Sequence, residues 1–196
     1  MINLFRNSDK LIIIVHEIYG VNSHIFGVCN EFFNHEFDVI CPNILERKDS
    51  FGYFEEKEAY ENFIKNIGFI KMVEIIKTIF NENSFKYKKI FLLGFSVGAT
   101  AAWILSSMLD FEKVICYYGS RIRDYLDIKP KCEILAFFSD KEQFDLYNLI
   151  EKMESINNVK LCILTGEHGF ADPFSKQYNR NSAETSKSIL FDFLSQ

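Results

Sequence analysis

Residues 90–102 read IFLLGFSVGATAA. The apolar run Ile90–Gly94 predicts a buried strand, and the small residues after Gly98 predict the start of a helix. Between them, the pattern G-x-S-x-G places Ser96 on a sharp strand-to-helix turn, the context of a nucleophile elbow. Glycines at both ends let the turning chain approach the helix, whose first amides can stabilise negative charge near the serine. This segment therefore predicts that Ser96 is a nucleophile.

Five other apolar runs have the length of strands: Leu11–His16, Asp38–Cys41, Lys113–Tyr118, Glu133–Phe138 and Val159–Leu164. They are continuous rather than alternating in polarity, which is typical of strands covered on both faces. Helical patterns separate or follow them, at Ile25–Asn34, Glu58–Ile67, Ile70–Asn81, Gly98–Leu109, Phe144–Ser155 and Ala183–Leu194. The alternation predicts an α/β fold in one domain over residues 1–196: a doubly wound, mostly parallel sheet with helices on both faces. In such sheets, ligands bind beyond the carboxyl ends of the strands.

The composition is that of a globular protein, with 48% hydrophobic and 25% charged residues among 196. A net charge of −5 without a concentrated basic segment argues against nucleic acid as a partner. No apolar run is long enough to span a bilayer, and the five cysteines show no C-x-x-C spacing. We therefore expect a cytoplasmic monomer or homodimer that contacts no membrane and has neither a disulfide framework nor a zinc site.

A serine hydroxyl needs a base to attack a carbonyl group at neutral pH, and histidine is the usual partner. Of the four histidines, His168 follows the last predicted strand, where the chain order serine, acid, histidine places the general base. A carboxylate that orients the imidazole is expected in the loop after Glu133–Phe138. That loop carries Asp140, Glu142 and Asp145, and spacing alone does not choose among them.

The loop after the first predicted strand is expected to complete an oxyanion hole. The amide of Ile18, together with that of Val97 after the serine, would hold the negative charge of a tetrahedral intermediate. Glu17 comes directly after a buried strand, where an acidic side chain costs free energy unless it is paired or functional. The alternatives for Glu17 are a role in the site and a structural hydrogen bond.

From Leu11 to Leu194, these segments together resemble the dienelactone hydrolase family of the α/β-hydrolase superfamily. The matching segments are HEIYG at 16–20, VICP at 39–42, the elbow around Ser96, YYG at 117–119, and HGF at 168–170 followed by Tyr178 and a closing helix. The resemblance implies a compact α/β-hydrolase fold, a three-layer sandwich. It also implies hydrolysis of a small carboxylic ester or lactone without a metal or organic cofactor.

The resemblance also implies roles for individual residues. The family's acid lies four positions into a loop that begins with a small residue. With Ser139 as that residue, the acid is Glu142 in preference to Asp140. The family's glutamate after the first strand, which contacts the resting nucleophile, corresponds to Glu17. The family's two oxyanion amides correspond to the two already named.

Several positions depart from the family pattern. The founding enzymes carry cysteine at the elbow, where this chain has Ser96. They bind a substrate carboxylate with two arginines, and the corresponding positions here hold Asp172 and, if Ala59-Tyr60 is the matching pair, Glu56. Because two anions would repel an anionic lactone, we expect a neutral or cationic ester. The alternative functions are a catalytically silent binding module and thioester or amide hydrolysis by the same residues.

Overall fold

The computed structural model describes all of residues 1–196. Seven strands form one sheet: β1 (Ile2–Leu4), β2 (Lys10–Val15), β3 (Asp38–Cys41), β4 (Lys89–Phe95), β5 (Lys113–Tyr117), β6 (Glu133–Ser139) and β7 (Val159–Leu164). Their order is β1-β3-β2-β4-β5-β6-β7. Only β1 is antiparallel to its neighbour. The predicted mostly parallel sheet is confirmed, with β1 as an additional strand at its edge.

Six α-helices flank the sheet: α1 (Ser23–Asn34), α2 (Glu56–Asn62), α3 (Gly68–Asn83), α4 (Val97–Leu105), α5 (Leu146–Glu154) and α6 (Arg180–Ser195). Shorter helical segments cover Tyr53–Glu55, Phe63–Ile67 and Ser120–Asp124. The segment Phe63–Ile67 is a π-helix and joins α2 to α3. None of the helices combines the length and the apolar character that crossing a membrane requires.

The predicted end of α4 is wrong. The helix ends at Leu105 rather than at Leu109, and a turn follows. The hydroxyl groups of Ser106 and Ser107 each donate to the carbonyl oxygen three residues earlier, at 2.6 and 3.0 Å. Such local bonds compete with continuation of the helix.

The sheet separates two hydrophobic cores. In β2, Leu11, Ile13 and Val15 pack into the core formed with α3, α4 and α5. Ile12 and Ile14 point the other way, into the core formed with α1 and α6. Because side chains alternate between the faces of a strand, burial on both faces requires an unbroken apolar run. This layering confirms the predicted sheet with helices on both faces and places the carboxyl ends of the parallel strands along one edge.

Candidate active site

The turn between β4 and α4 holds Ser96 at φ 51° and ψ −113°, a strained conformation for a residue other than glycine. Its amide donates to the carbonyl oxygen of Tyr117 at 2.9 Å. A Cβ atom on Gly94 would lie 2.2 Å from the carbonyl oxygen of Gly98, and one on Gly98 would lie 2.5 Å from that of Val15. Glycine is therefore required at both positions for the chain to turn this tightly and present Ser96.

His168, in the loop after β7, lies between Ser96 and Glu142. Its Nε2 is 3.0 Å from Ser96 Oγ, and its Nδ1 is 3.1 Å from Glu142 Oε2. The tautomer that donates from Nδ1 leaves Nε2 free to accept the serine proton. The Glu142 side chain is only 2% exposed, and its other oxygen accepts from the Ser139 hydroxyl at 3.2 Å. This arrangement can deprotonate the Ser96 hydroxyl as it attacks and stabilise the imidazolium that results.

The other two candidate acids have structural contacts. Asp140 Oδ1 accepts from the amide of Gly166 at 3.0 Å, two residues before His168. Asp145 caps α5 by accepting from the amide of Asn148 at 3.2 Å. The structure therefore brings Glu142 to the imidazole, while Asp140 holds the backbone of the loop that carries it.

The predicted oxyanion amides belong to neighbouring strand ends. Val15 of β2 pairs with Gly94 of β4, so the loop after β2 begins beside the elbow. Val97 is the first residue of α4, where an amide has no acceptor within the helix. The amide of Ile18, in the loop after β2, donates to no backbone acceptor in the protein. Both amides are thus free to donate to a bound group.

Glu17 is 5% exposed, and its Oε1 has no hydrogen-bond partner. Burial raises the pKa of this carboxyl group from its ordinary value of 4.5 to about 8, and the nearby negative charges of Asp172 and Glu56 add to the shift. No hydrogen bond joins it to Ser96, whose hydroxyl contacts His168. Burial therefore favours the protonated form of Glu17, and one of its oxygens has no hydrogen-bond partner in the protein.

A cavity of about 380 Å³ opens beside His168. Its lining contains four carboxylic acids and a single lysine or arginine, Lys141: the acids are Glu17, Glu56, Glu167 and Asp172. No group of His, Cys, Asp or Glu side chains is arranged to hold a metal ion. The lining of the cavity beside His168 is consequently acidic.

Two tyrosines at the site had no role predicted from the sequence, although Tyr118 belongs to the YYG segment at 117–119. The Tyr53 hydroxyl donates to Asp172, and nothing in the sequence around it predicts this contact. Tyr118 has φ 41° and a ring 5.0 Å from that of His168, measured between centroids. Its hydroxyl is buried without a partner. Its position directly after β5 is a signal that could have identified it.

His16, which lies next to the oxyanion loop, has a structural role. Its Nε2 accepts from the amide of Ile44 at 3.0 Å, and its Nδ1 lies 2.7 Å from the carbonyl oxygen of Glu17. Burial lowers the pKa of this imidazole to about 4, so the ring is neutral. A neutral ring with one donor and one acceptor satisfies both contacts.

Known proteins are similar to this chain in sequence and in fold. The chain is 42% identical over 173 residues to the "uncharacterized protein YczH" of Bacillus subtilis (strain 168), covering 87% of this chain and 85% of that protein. A dienelactone hydrolase-like promiscuous phosphotriesterase from metagenomic libraries has a TM-score of 0.76 at 11% identity, covering 95% and 85% of the two chains. Est1E of Butyrivibrio proteoclasticus with bound ferulic acid has a TM-score of 0.70 at 13% identity, covering 97% and 92%. The two structural likenesses support the fold.

The family assignment rests on sequence over almost the full length of the chain. The sequence profile of the dienelactone hydrolase family matches residues 5–196, which include the elbow and the loop of His168. The predicted resemblance is confirmed. This protein belongs to the dienelactone hydrolase family of α/β hydrolases.

Proposed function

We propose that the protein is a serine hydrolase that cleaves a small carboxylic ester or lactone through an acyl-enzyme on Ser96. The observation that carries the proposal is the pair of contacts made by His168, 3.0 Å to Ser96 Oγ and 3.1 Å to Glu142 Oε2. These distances lie within the range expected of a nucleophile, its base and the group that orients the base. Membership of a hydrolase family supports it.

In the acylation step, Ser96 Oγ attacks the carbonyl carbon of the ester while His168 Nε2 takes the hydroxyl proton. The amides of Ile18 and Val97 donate to the oxyanion of the tetrahedral intermediate. The imidazolium is stabilised by the buried carboxylate of Glu142. When the intermediate collapses, His168 gives its proton to the leaving alkoxide, and the alcohol departs.

Deacylation repeats the sequence with water. His168 removes a proton from the water as its oxygen attacks the acyl carbon, and returns the proton to Ser96 Oγ as the acid is released. In a lactone the alcohol and the acid belong to one molecule, so the product is a single hydroxy acid. The same residues serve both half-reactions, and no cofactor enters either step.

A catalytically silent binding module is the alternative from another class. That function places no requirement on the distance between Ser96 and His168, whereas an active enzyme needs the base within hydrogen-bond reach of the nucleophile, directly or through one water. The observed 3.0 Å contact therefore favours the enzyme. Thioesters and amides could react at the same residues, and a panel of the three substrate types with a common acyl group distinguishes them.

The decisive experiment is labelling with a fluorophosphonate probe, followed by hydrolysis of p-nitrophenyl acetate. We expect the wild type to be labelled and Ser96→Ala to be unlabelled and at least about 10³-fold slower in kcat. Ser107→Ala is the matched control, since it removes a serine hydroxyl in the turn after α4 and should be labelled normally. Equal labelling of the wild type and Ser96→Ala would overturn the proposal.

A further inference from the structure

The cavity beside His168 has acidic groups at two depths. Asp172 is 1% exposed and Glu17 is 5% exposed, so both lie at its base. Glu56, from the first turn of α2, lies exposed at its mouth. The only lysine or arginine in the lining, Lys141, is itself exposed. A ligand entering the cavity therefore meets the carboxylate of Glu56 at the entrance and that of Asp172 at the base.

These acids lack cationic partners within the protein. None of Glu17, Glu56 and Asp172 forms an ion pair. Asp172 accepts from the Tyr53 hydroxyl and, through its other oxygen, from the amide of Phe174 at 2.9 Å. Glu17 Oε1 has no partner, although it is buried. Carboxyl groups buried together without a counter-charge disfavour one another's ionisation, and a bound cation would relieve this.

The walls of the cavity are suited to an organic cation. Tyr19 and Tyr53 both line it, with ring centroids 4.9 Å apart and an interplanar angle of 58°. Aromatic faces attract ammonium groups, and aromatic side chains around a cavity are used to recognise quaternary ammonium ligands. A metal ion fits less well, because the carboxylates are not arranged to ligate one. The occupant indicated by this chemistry is an ammonium group on a small molecule.

We propose that this acidic pocket binds the ammonium group of the substrate, so that the enzyme prefers esters or lactones bearing a protonated or quaternary amine. The pocket is defined by five residues: Glu17, Tyr19, Tyr53, Glu56 and Asp172. The inference rests on the proposed function, because it names the substrate class of the same site. His168 lines the same cavity and its Nε2 lies 3.0 Å from Ser96 Oγ, so an ammonium held there keeps the rest of the ester near the nucleophile.

Matched p-nitrophenyl esters test the preference. The 4-(trimethylammonio)butanoate ester carries a fixed positive charge, the 5,5-dimethylhexanoate ester is its neutral isostere, and the glutarate monoester is anionic. We expect kcat/KM for the cationic ester to exceed that for the neutral one by about tenfold or more at low salt, and the anionic ester to be the poorest substrate. The ratio of cationic to neutral kcat/KM is the readout, since it cancels general losses of activity.

Two variants on the same helix separate the pocket from overall charge. Glu56→Gln removes an acid that lines the cavity, and we expect the ratio to fall by about threefold. Glu58→Gln makes the same change of charge on α2 at an exposed residue outside the cavity, and the ratio should be unchanged. A wild-type ratio near one, or equal effects of the two variants, would overturn the inference.

A binding measurement keeps this inference distinct from the proposed function. Phenyltrimethylammonium should bind the Ser96→Ala protein, which requires no turnover, and bind more weakly when Glu56→Gln is added. If all three esters are hydrolysed at similar rates and this cation does not bind at millimolar concentration, the hydrolase stands and the ammonium site fails. If the cation binds but no ester is hydrolysed and Ser96 is not labelled, the ammonium site stands as a binding site and the hydrolase fails.

Discussion

Replacing Glu17 with glutamine should stabilise the protein at neutral pH and have no such effect at acidic pH. The folded protein holds the Glu17 proton with a pKa of about 8, whereas the unfolded chain releases it near 4.5. Between these values, folding of the wild type must take up a proton. The contribution of this group to the unfolding free energy is therefore greatest below pH 4.5 and decreases as the pH rises towards 8. Glutamine resembles the protonated form at every pH.

The size of the effect follows from the two pKa values. Each pH unit between them changes the free energy of unfolding by about 1.4 kcal/mol for one proton. From 4.5 to neutral pH the difference amounts to about 3 kcal/mol, and at the folded pKa of about 8 it approaches about 5 kcal/mol. The carboxyl groups that face Glu17, those of Asp172 and Glu56, are present in both proteins, and so are the hydroxyls of Tyr19, Tyr53 and Tyr118.

Urea unfolding of the wild type and Glu17→Gln, followed by circular dichroism from about pH 5 to about pH 8, measures this difference. The expected result is a gap in unfolding free energy that widens with pH in favour of the variant. Any constant cost of the new amide cancels in the pH dependence. Parallel stability curves for the two proteins would refute the reasoning, because they would show that Glu17 has the same pKa in the folded and unfolded states.

Three further changes have defined outcomes. Glu142→Gln should reduce kcat by about 10²–10⁴-fold in steady-state kinetics. Asp140→Asn should keep most of the activity, because the amide oxygen of asparagine can still accept from the backbone. Equal losses of kcat in the two variants would contradict this. Gly98→Ala should lower the unfolding free energy by about 3 kcal/mol or more, since its Cβ would lie 2.5 Å from the carbonyl oxygen of Val15. A decrease below about 1 kcal/mol in urea unfolding would contradict this steric argument. Tyr118→Phe should raise the unfolding free energy by about 1 kcal/mol, because it removes a buried hydroxyl that has no hydrogen-bond partner. A decrease in the same assay would show that the hydroxyl has an acceptor.

The sequence predicts most of the sheet because its central strands are buried on both faces. β2 is the clearest case, since Leu11–Val15 are all fully buried and form an unbroken apolar run. β1 could not be predicted in the same way. It has three residues at the sheet edge and is only partly buried, so its sequence shows no such run. Its pairing with β3 depends on tertiary contacts rather than on local pattern.

The candidate site is predictable where function coincides with a strand end. The meeting of Ser96 and His168 follows from parallel strands whose carboxyl ends share one edge. The choice of Glu142 over Asp140 needed the family pattern. Both acids lie in one loop, and only the folded structure shows which partner each side chain contacts. Tyr53 belongs to the long connection between β3 and α3, and its contact with Asp172, 119 positions along the chain, leaves no local signal.

Because of the strained turn at Ser96, the proposed hydrolase activity depends on assembly of the three central strands β2, β4 and β5. The serine amide is held by the carbonyl oxygen of Tyr117 on β5, and Gly98 packs against Val15 on β2. Both neighbours of β4 must therefore be in place before the hydroxyl can adopt its position beside His168. A partly folded chain that retains its helices but has not paired β5 would keep much of its circular dichroism signal and be inactive. Recovery of the proposed hydrolysis during refolding should consequently follow the pairing of β4 with β2 and β5 rather than the first appearance of helix.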